Sequence, residues 1–187
     1  MSSRSRRWSP SSLALALALA VGVLAPMLST PSVLRAQAGS GVIGTWRFVG
    51  GATETRGIER AIDTALADFN PVMREIVASQ LQDSNRAYPE FSIAVEGENI
   101  VTRMNGRTLN TPSNGAAREV TTPEGRTAQV TQRIQGNRLV QTLVNPQGTR
   151  THTITLGSDG NLRVEVRIVS SHLPRPIDYA LTYGPAA

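Results

Sequence analysis

The sequence predicts an all-β fold: a closed up-and-down antiparallel barrel of about ten strands, with a helix-turn-helix lid inserted after the first. Three observations predict it. Between residues 91 and 183 glycine recurs at positions 97, 106, 115, 125, 136, 148 and 160, gaps of 9 to 12 residues, which suit strands of about 6 to 9 residues joined by tight turns. Segments between these glycines alternate apolar and polar residues, most clearly Leu162-Arg163-Val164-Glu165-Val166-Arg167-Ile168, so one face meets an interior and the other water. Helical periodicity is strong only in residues 56–83. A long meander left flat would expose two unpaired edges, and curling it into a barrel removes them.

Residues 1–38 read as a secretory signal. Arg4, Arg6 and Arg7 supply a basic start, residues 13–24 an apolar run interrupted only by Gly22, and Ala36-Gln37-Ala38 small residues at the cleavage positions. Pro26, Ser29, Thr30, Pro31 and Arg35 stop the run well short of the ~20 residues a spanning helix needs, so no stable membrane span is expected. Ser5-Arg6-Arg7-Trp8 is compatible with twin-arginine export as well as the general route. The expected destination is the periplasm or the exterior.

Residues 39–187 then form a single domain, large enough to bury a core without covalent staples. Four of the 19 arginines precede residue 39 and all 14 acidic residues follow it, so the mature chain carries fifteen positive and fourteen negative side chains. That balance gives no basic face for nucleic acid. Cysteine is absent, which removes disulfides, a thiol nucleophile and a lipoprotein anchor.

The first strand is expected over residues 42–49, with Trp46 as a core plug. Ile58, Ile62, Leu66 and Phe69 follow at helical spacing with Glu59, Arg60, Asp63 and Asp68 on other faces. Asn70-Pro71 stops this helix and starts another, Asn as cap and Pro in the first turn. Val72, Met73, Ile76, Val77 and Leu81 give the second helix its apolar side. The meander runs over 91–183. Within residues 126–134, Ala128, Val130 and Ile134 point inward together with Gln132, and a polar inward side chain is tolerable if the interior holds water or ligand. In residues 149–156 four threonines share one face while Arg150, His152, Ile154 and Leu156 share the other, and the pattern does not say which is inside.

Catalytic and metal signals are thin. The two histidines, His152 and His172, are twenty residues apart without clustered carboxylates. No nucleophile elbow, phosphate-cradling loop or carboxylate pair occurs, and neither cofactor nor metal is expected.

Gly44-Thr45-Trp46 resembles the Gly-x-Trp signature of the lipocalin and fatty-acid-binding-protein (calycin) superfamily. One strand, a helix pair and then nine strands is the element order of its fatty-acid-binding branch. The resemblance implies a water-containing cavity for a hydrophobic or amphipathic molecule, gated by the helices. In that branch an Arg-x-Tyr in the last strand and a neighbouring arginine grip a carboxylate. Tyr183 matches the tyrosine, but Leu181 and Thr155 stand at the two arginine positions, so a neutral ligand is expected over a free fatty acid. The expected lining is Tyr179, Leu181, Tyr183, Val130, Val166 and Thr155, with Phe69, Met73 and Arg126 at the portal. Two alternatives remain: a filled barrel serving as an envelope protein-interaction module, and an isomerase or cyclase using Tyr183 as acid.

Overall fold

The computed structural model describes residues 41–121 and 125–186; the expected leader, 1–38, lies outside the described residues. The order is β1 (Gly44–Phe48), α1 (Gly51–Ala65), α2 (Pro71–Ser84), β2 (Glu90–Glu96), β3 (Asn99–Met104), β4 (Arg107–Pro112), β5 (Arg118–Thr121), β6 (Thr127–Gln135), β7 (Arg138–Asn145), β8 (Gly148–Leu156), β9 (Leu162–Ser170) and β10 (Ile177–Pro185). All strand pairs are antiparallel, in the spatial order β4-β3-β2-β1-β10-β9-β8-β7-β6-β5. The last strand thus pairs with the first, and the up-and-down barrel is closed except for a seam between β4 and β5, where no ladder forms. At the β3–β4 hairpin Asn105 and Gly106 both have positive φ, 48° and 72°, the two-residue turn whose twist matches the strands it joins.

Because side chains alternate across a strand, the register sorts the interior into rows. One row runs Val130, Leu143, Arg150, Ile168, Ile177; the next Gln132, Gln141, His152, Val166, Tyr179; the third Ile134, Leu139, Ile154, Val164, Leu181. A fourth holds Leu156, Leu162, Tyr183 and Phe48. Two rows are therefore apolar throughout except for the Tyr183 hydroxyl, one carries an arginine, and one is mostly polar.

The helices differ in how they are held. Ile58, Ile62, Ala65 and Leu66 of α1 and its end are 0 to 4% exposed, and the Glu54 carboxylate accepts bonds from the Thr182 N–H (2.6 Å) and hydroxyl (2.7 Å) on β10. Helix α1 starts at Gly51, five residues before the expected lid boundary at 56. In α2, Asn70 caps the Met73 N–H at 3.0 Å and Pro71 occupies the first turn, as the sequence predicts. Yet no α2 residue is buried: Val77, Ala78 and Leu81 reach the core only in part, and Val72, Met73 and Ile76 face water. The apolar stripe expected of α2 is split because α1 already covers β10. Polar bonds hold the junction instead, with Arg74 donating to the carbonyls of Leu66, Ala67 and Phe69. Ile62→Val is expected to cost about 1 kcal/mol, and Ile76→Val on α2 less than about 0.5 kcal/mol. Urea denaturation of the two variants checks the contrast.

Candidate functional site

The polar row forms a hydrogen-bonded chain through the lumen. His152 Nδ1 lies 2.8 Å from Gln141 Oε1, and Gln141 Nε2 donates to Gln132 Oε1 at 3.0 Å. Gln132 Oε1 also accepts from the Thr102 hydroxyl, while its Nε2 donates to the Ile100 carbonyl (3.2 Å) and the Thr111 hydroxyl (3.1 Å). Gln132 and Gln141 are fully enclosed, and each amide is satisfied, as buried polar groups require. These bonds tie β6 to β3 and β4 across the interior, bridging the seam that lacks a backbone ladder.

Burial, and secondarily the neighbouring Arg150 guanidinium, push the His152 imidazole down to about 3. The ring is thus neutral near pH 7, and its contact with the Gln141 carbonyl oxygen places the proton on Nδ1. Two arginines border this region, Arg86, which pairs with Asp83, and Arg150. The Arg150 guanidinium donates to the Ser84 carbonyl at 3.3 Å and to Asn85 Oδ1, at the C-terminus of α2. Among the described residues no ion pair includes Arg150. Tyr179 donates to the same Asn85 oxygen at 3.2 Å; burial pushes its hydroxyl up to about 12, partly offset by Arg150.

A pocket of about 40 Å³ lies beside these groups, lined among others by Tyr88, Phe91, Met104, Arg150, His152 and Tyr179. Its apolar end holds Tyr183, packed edge-on to Phe91 with ring centres 4.7 Å apart. That volume suits one or two waters. A wider groove of about 520 Å³ is open on the outer wall, where Arg163 pairs with Glu165 and Arg167 with Asp178.

Of the residues expected to line a cavity, Tyr179, Leu181, Tyr183 and Val166 border the pocket. Val130 is buried in the interior but away from it, in the row of Arg150. Thr155 is corrected: it is paired with Arg163 on the outward face, because Ile154 and Leu156 of the opposite parity pack inside. Phe69 is partly buried at the turn between the helices, Met73 is exposed on α2, and Arg126 is exposed just before β6. Burial pushes the Tyr183 hydroxyl well above its usual range, so it gives up a proton less readily than a free phenol, and the isomerase reading gains no support. The unrecognised residues are Arg150, His152 and Gln141. The signal that could have found them is the β8–β9 hairpin: the four threonines fall opposite the polar face of β9, which leaves Arg150 and His152 with the apolar one.

Among the described residues, no group of three histidine or acidic side chains could hold a metal ion, and no helix is long and apolar enough to cross a membrane. No protein-family model matches the chain, and no curated protein matches it. Solved structures do. An abundant heat soluble (SAHS) protein from Ramazzottius varieornatus aligns with TM-score 0.53 and 11% identity over 79% of this chain and 97% of that one. Fatty-acid-binding protein 1 of Echinococcus granulosus aligns with TM-score 0.50 and 14% identity, over 79% and 98%. A mutant of the fluorescent protein UnaG gives TM-score 0.50 and 15% identity, over 79% and 97%. At such identities the likeness establishes the fold alone, a nearly closed ten-stranded up-and-down barrel with a helix pair after its first strand, like that of fatty-acid-binding proteins.

Proposed function

We propose that this protein is an exported binding protein for a hydrophobic or amphipathic small molecule, held inside the barrel beneath the two helices. The observation that carries the reading is the pocket itself, where Phe91, Met104, Val166 and Leu181 adjoin Arg150, His152 and Tyr179 under a helix that buries none of its own residues completely. An apolar wall with a few convergent polar groups is the usual form of a small-molecule site. The present volume is far below the roughly 300 Å³ such sites occupy, so loading requires α2 to move outward. The fatty-acid-binding protein among the structural neighbours adds support by its fold, and the leader pattern of residues 1–38 supports export.

A second reading is favoured by the same small volume: a filled barrel that acts as an envelope protein-interaction module. Solvent extraction of the purified protein followed by mass spectrometry, with titration of a fluorescent lipid probe, separates the two. The binding reading expects an apolar compound near one equivalent and a saturable probe signal. A protein that yields no extractable compound and leaves every probe unbound has a filled barrel.

A further inference from the structure

Of the two arginines that border the pocket, Arg86 is ion-paired with Asp83, whereas the charge of Arg150 is engaged only by neutral oxygens. Its neighbours are the Ser84 carbonyl and the Asn85 side chain, which cap the negative end of α2, where cations are favoured. Asn85 is 2% exposed, receives the Tyr179 hydroxyl, and returns its own amide to the Leu81 carbonyl at 2.7 Å. The last turn of α2 is thus fastened to β8 and β10 through one side chain, while the rest of the helix contributes no fully buried residue. Arg150 and Tyr179 also border the pocket.

Resting on the binding reading above, we propose that Arg150 is a shared group: it latches the C-terminus of α2 in this closed form, and an anionic head group that takes the guanidinium unfastens the helix. Ionised acceptors bond a guanidinium roughly twice as strongly as neutral ones, so a carboxylate or phosphate outcompetes the Ser84 carbonyl and the Asn85 amide. Binding of the anion and release of residues 81–85 are then one event. The departing Tyr179 bond leaves its hydroxyl free to donate to the same head group. The anion and the helix terminus are rivals for one site, and this distinguishes the latch from a simple charged subsite.

The test compares dodecanoate, dodecyl phosphate and neutral dodecanol, with Trp46 fluorescence reading affinity and hydrogen exchange reading amides 81–86. In the wild type, at least one anion is expected to bind about tenfold or more tighter than dodecanol and to speed exchange at these amides about tenfold; which anion does so separates carboxylate from phosphate recognition. Arg150→Gln is expected to bring all three within about twofold and to show fast exchange already without ligand. Asn85→Ala keeps the cation but removes its rival, so anion affinity is expected to rise several-fold, and by more than that of dodecanol, which gains only from the loosened helix. Tyr179→Phe, a milder change, is expected to speed exchange without ligand less than Arg150→Gln does. Equal affinities in the wild type, an anion preference that survives Arg150→Gln, or weaker anion binding in Asn85→Ala would each overturn the latch. If dodecanol binds but anions gain nothing, only this inference falls; if no amphiphile binds, the binding reading falls with it.

Discussion

Gln132→Ala is expected to destabilise the protein by roughly 4 kcal/mol, the largest loss from any single truncation in the polar row. Two terms add. Removing the amide opens a cavity in an enclosed site. It also strands the Thr102 and Thr111 hydroxyls, the Ile100 carbonyl and the Gln141 amide, all of which it bonds, and a buried group left without its partner costs about 1 to 3 kcal/mol. Against a typical total of roughly 5 to 15 kcal/mol, that is a substantial share. The damage should be local as well as global. Since β4 and β5 share no ladder, the one backbone ladder of β4 is with β3, and Thr111 ties it to Gln132 across the interior. Amides of β4 are therefore expected to exchange faster in the variant than those of β8 or β9. Gln132→Met keeps the volume and isolates the stranded groups, and about half the loss is expected to remain. Chemical denaturation and amide exchange give both readings. A cost below about 1 kcal/mol for Gln132→Ala would show that the seam is held without this bridge.

The barrel was legible because its signals are local. Glycine spacing marks the hairpins, and the Asn105-Gly106 pair carries the backbone requirement of its turn in its own chemistry. Asn70-Pro71 likewise announces the start of α2. The site was less legible because its assignments depend on partners far away in sequence. Strand β8 alternates four threonines with a mixed set of Arg150, His152, Ile154 and Leu156, so its inward face is decided by register against β9, and that register sets Thr155, which the resemblance assigns to the cavity, on the outward face. Leu181 and Thr155 still stand where the arginine pair would be, and the cation at the pocket edge, Arg150, comes from another position on β8. Helix α2 shows a further limit: Val72, Met73 and Ile76 carry an apolar pattern, but α1 had already taken the apolar surface of β10. Gln132 was the exception, read correctly as a polar group facing inward. Its meaning differs from the expectation, however, because it is satisfied by protein atoms and helps to fill the space a ligand would need.

Acidification from pH 7 to pH 4 is expected to remove roughly 2 kcal/mol of stability through His152 alone. Its imidazole is held at about 3 in the folded protein, by burial first and by Arg150 second, while in the unfolded chain it returns to about 6.5. Between those values the unfolded state binds the extra proton, so stability rises with pH. The contribution is whole above pH 6.5 and is lost as pH falls toward 3, with a limiting slope of about 1.4 kcal/mol per unit. His152 as a residue is only half-buried, so solvent relaxation lowers the total below that limit. Asp159, whose carboxylate is held below its usual range chiefly by the Asn161 side chain, adds a loss of the same sign at lower pH. The readout is therefore the difference between wild type and His152→Gln, which retains a donor for Gln141 but has nothing to titrate. That difference should narrow by roughly 2 kcal/mol from pH 7 to pH 4 as the wild type weakens. Parallel pH profiles for wild type and His152→Gln, or an imidazole signal of His152 that titrates near pH 6 in the folded protein, would mean that the ring is solvated and the polar row is open to water.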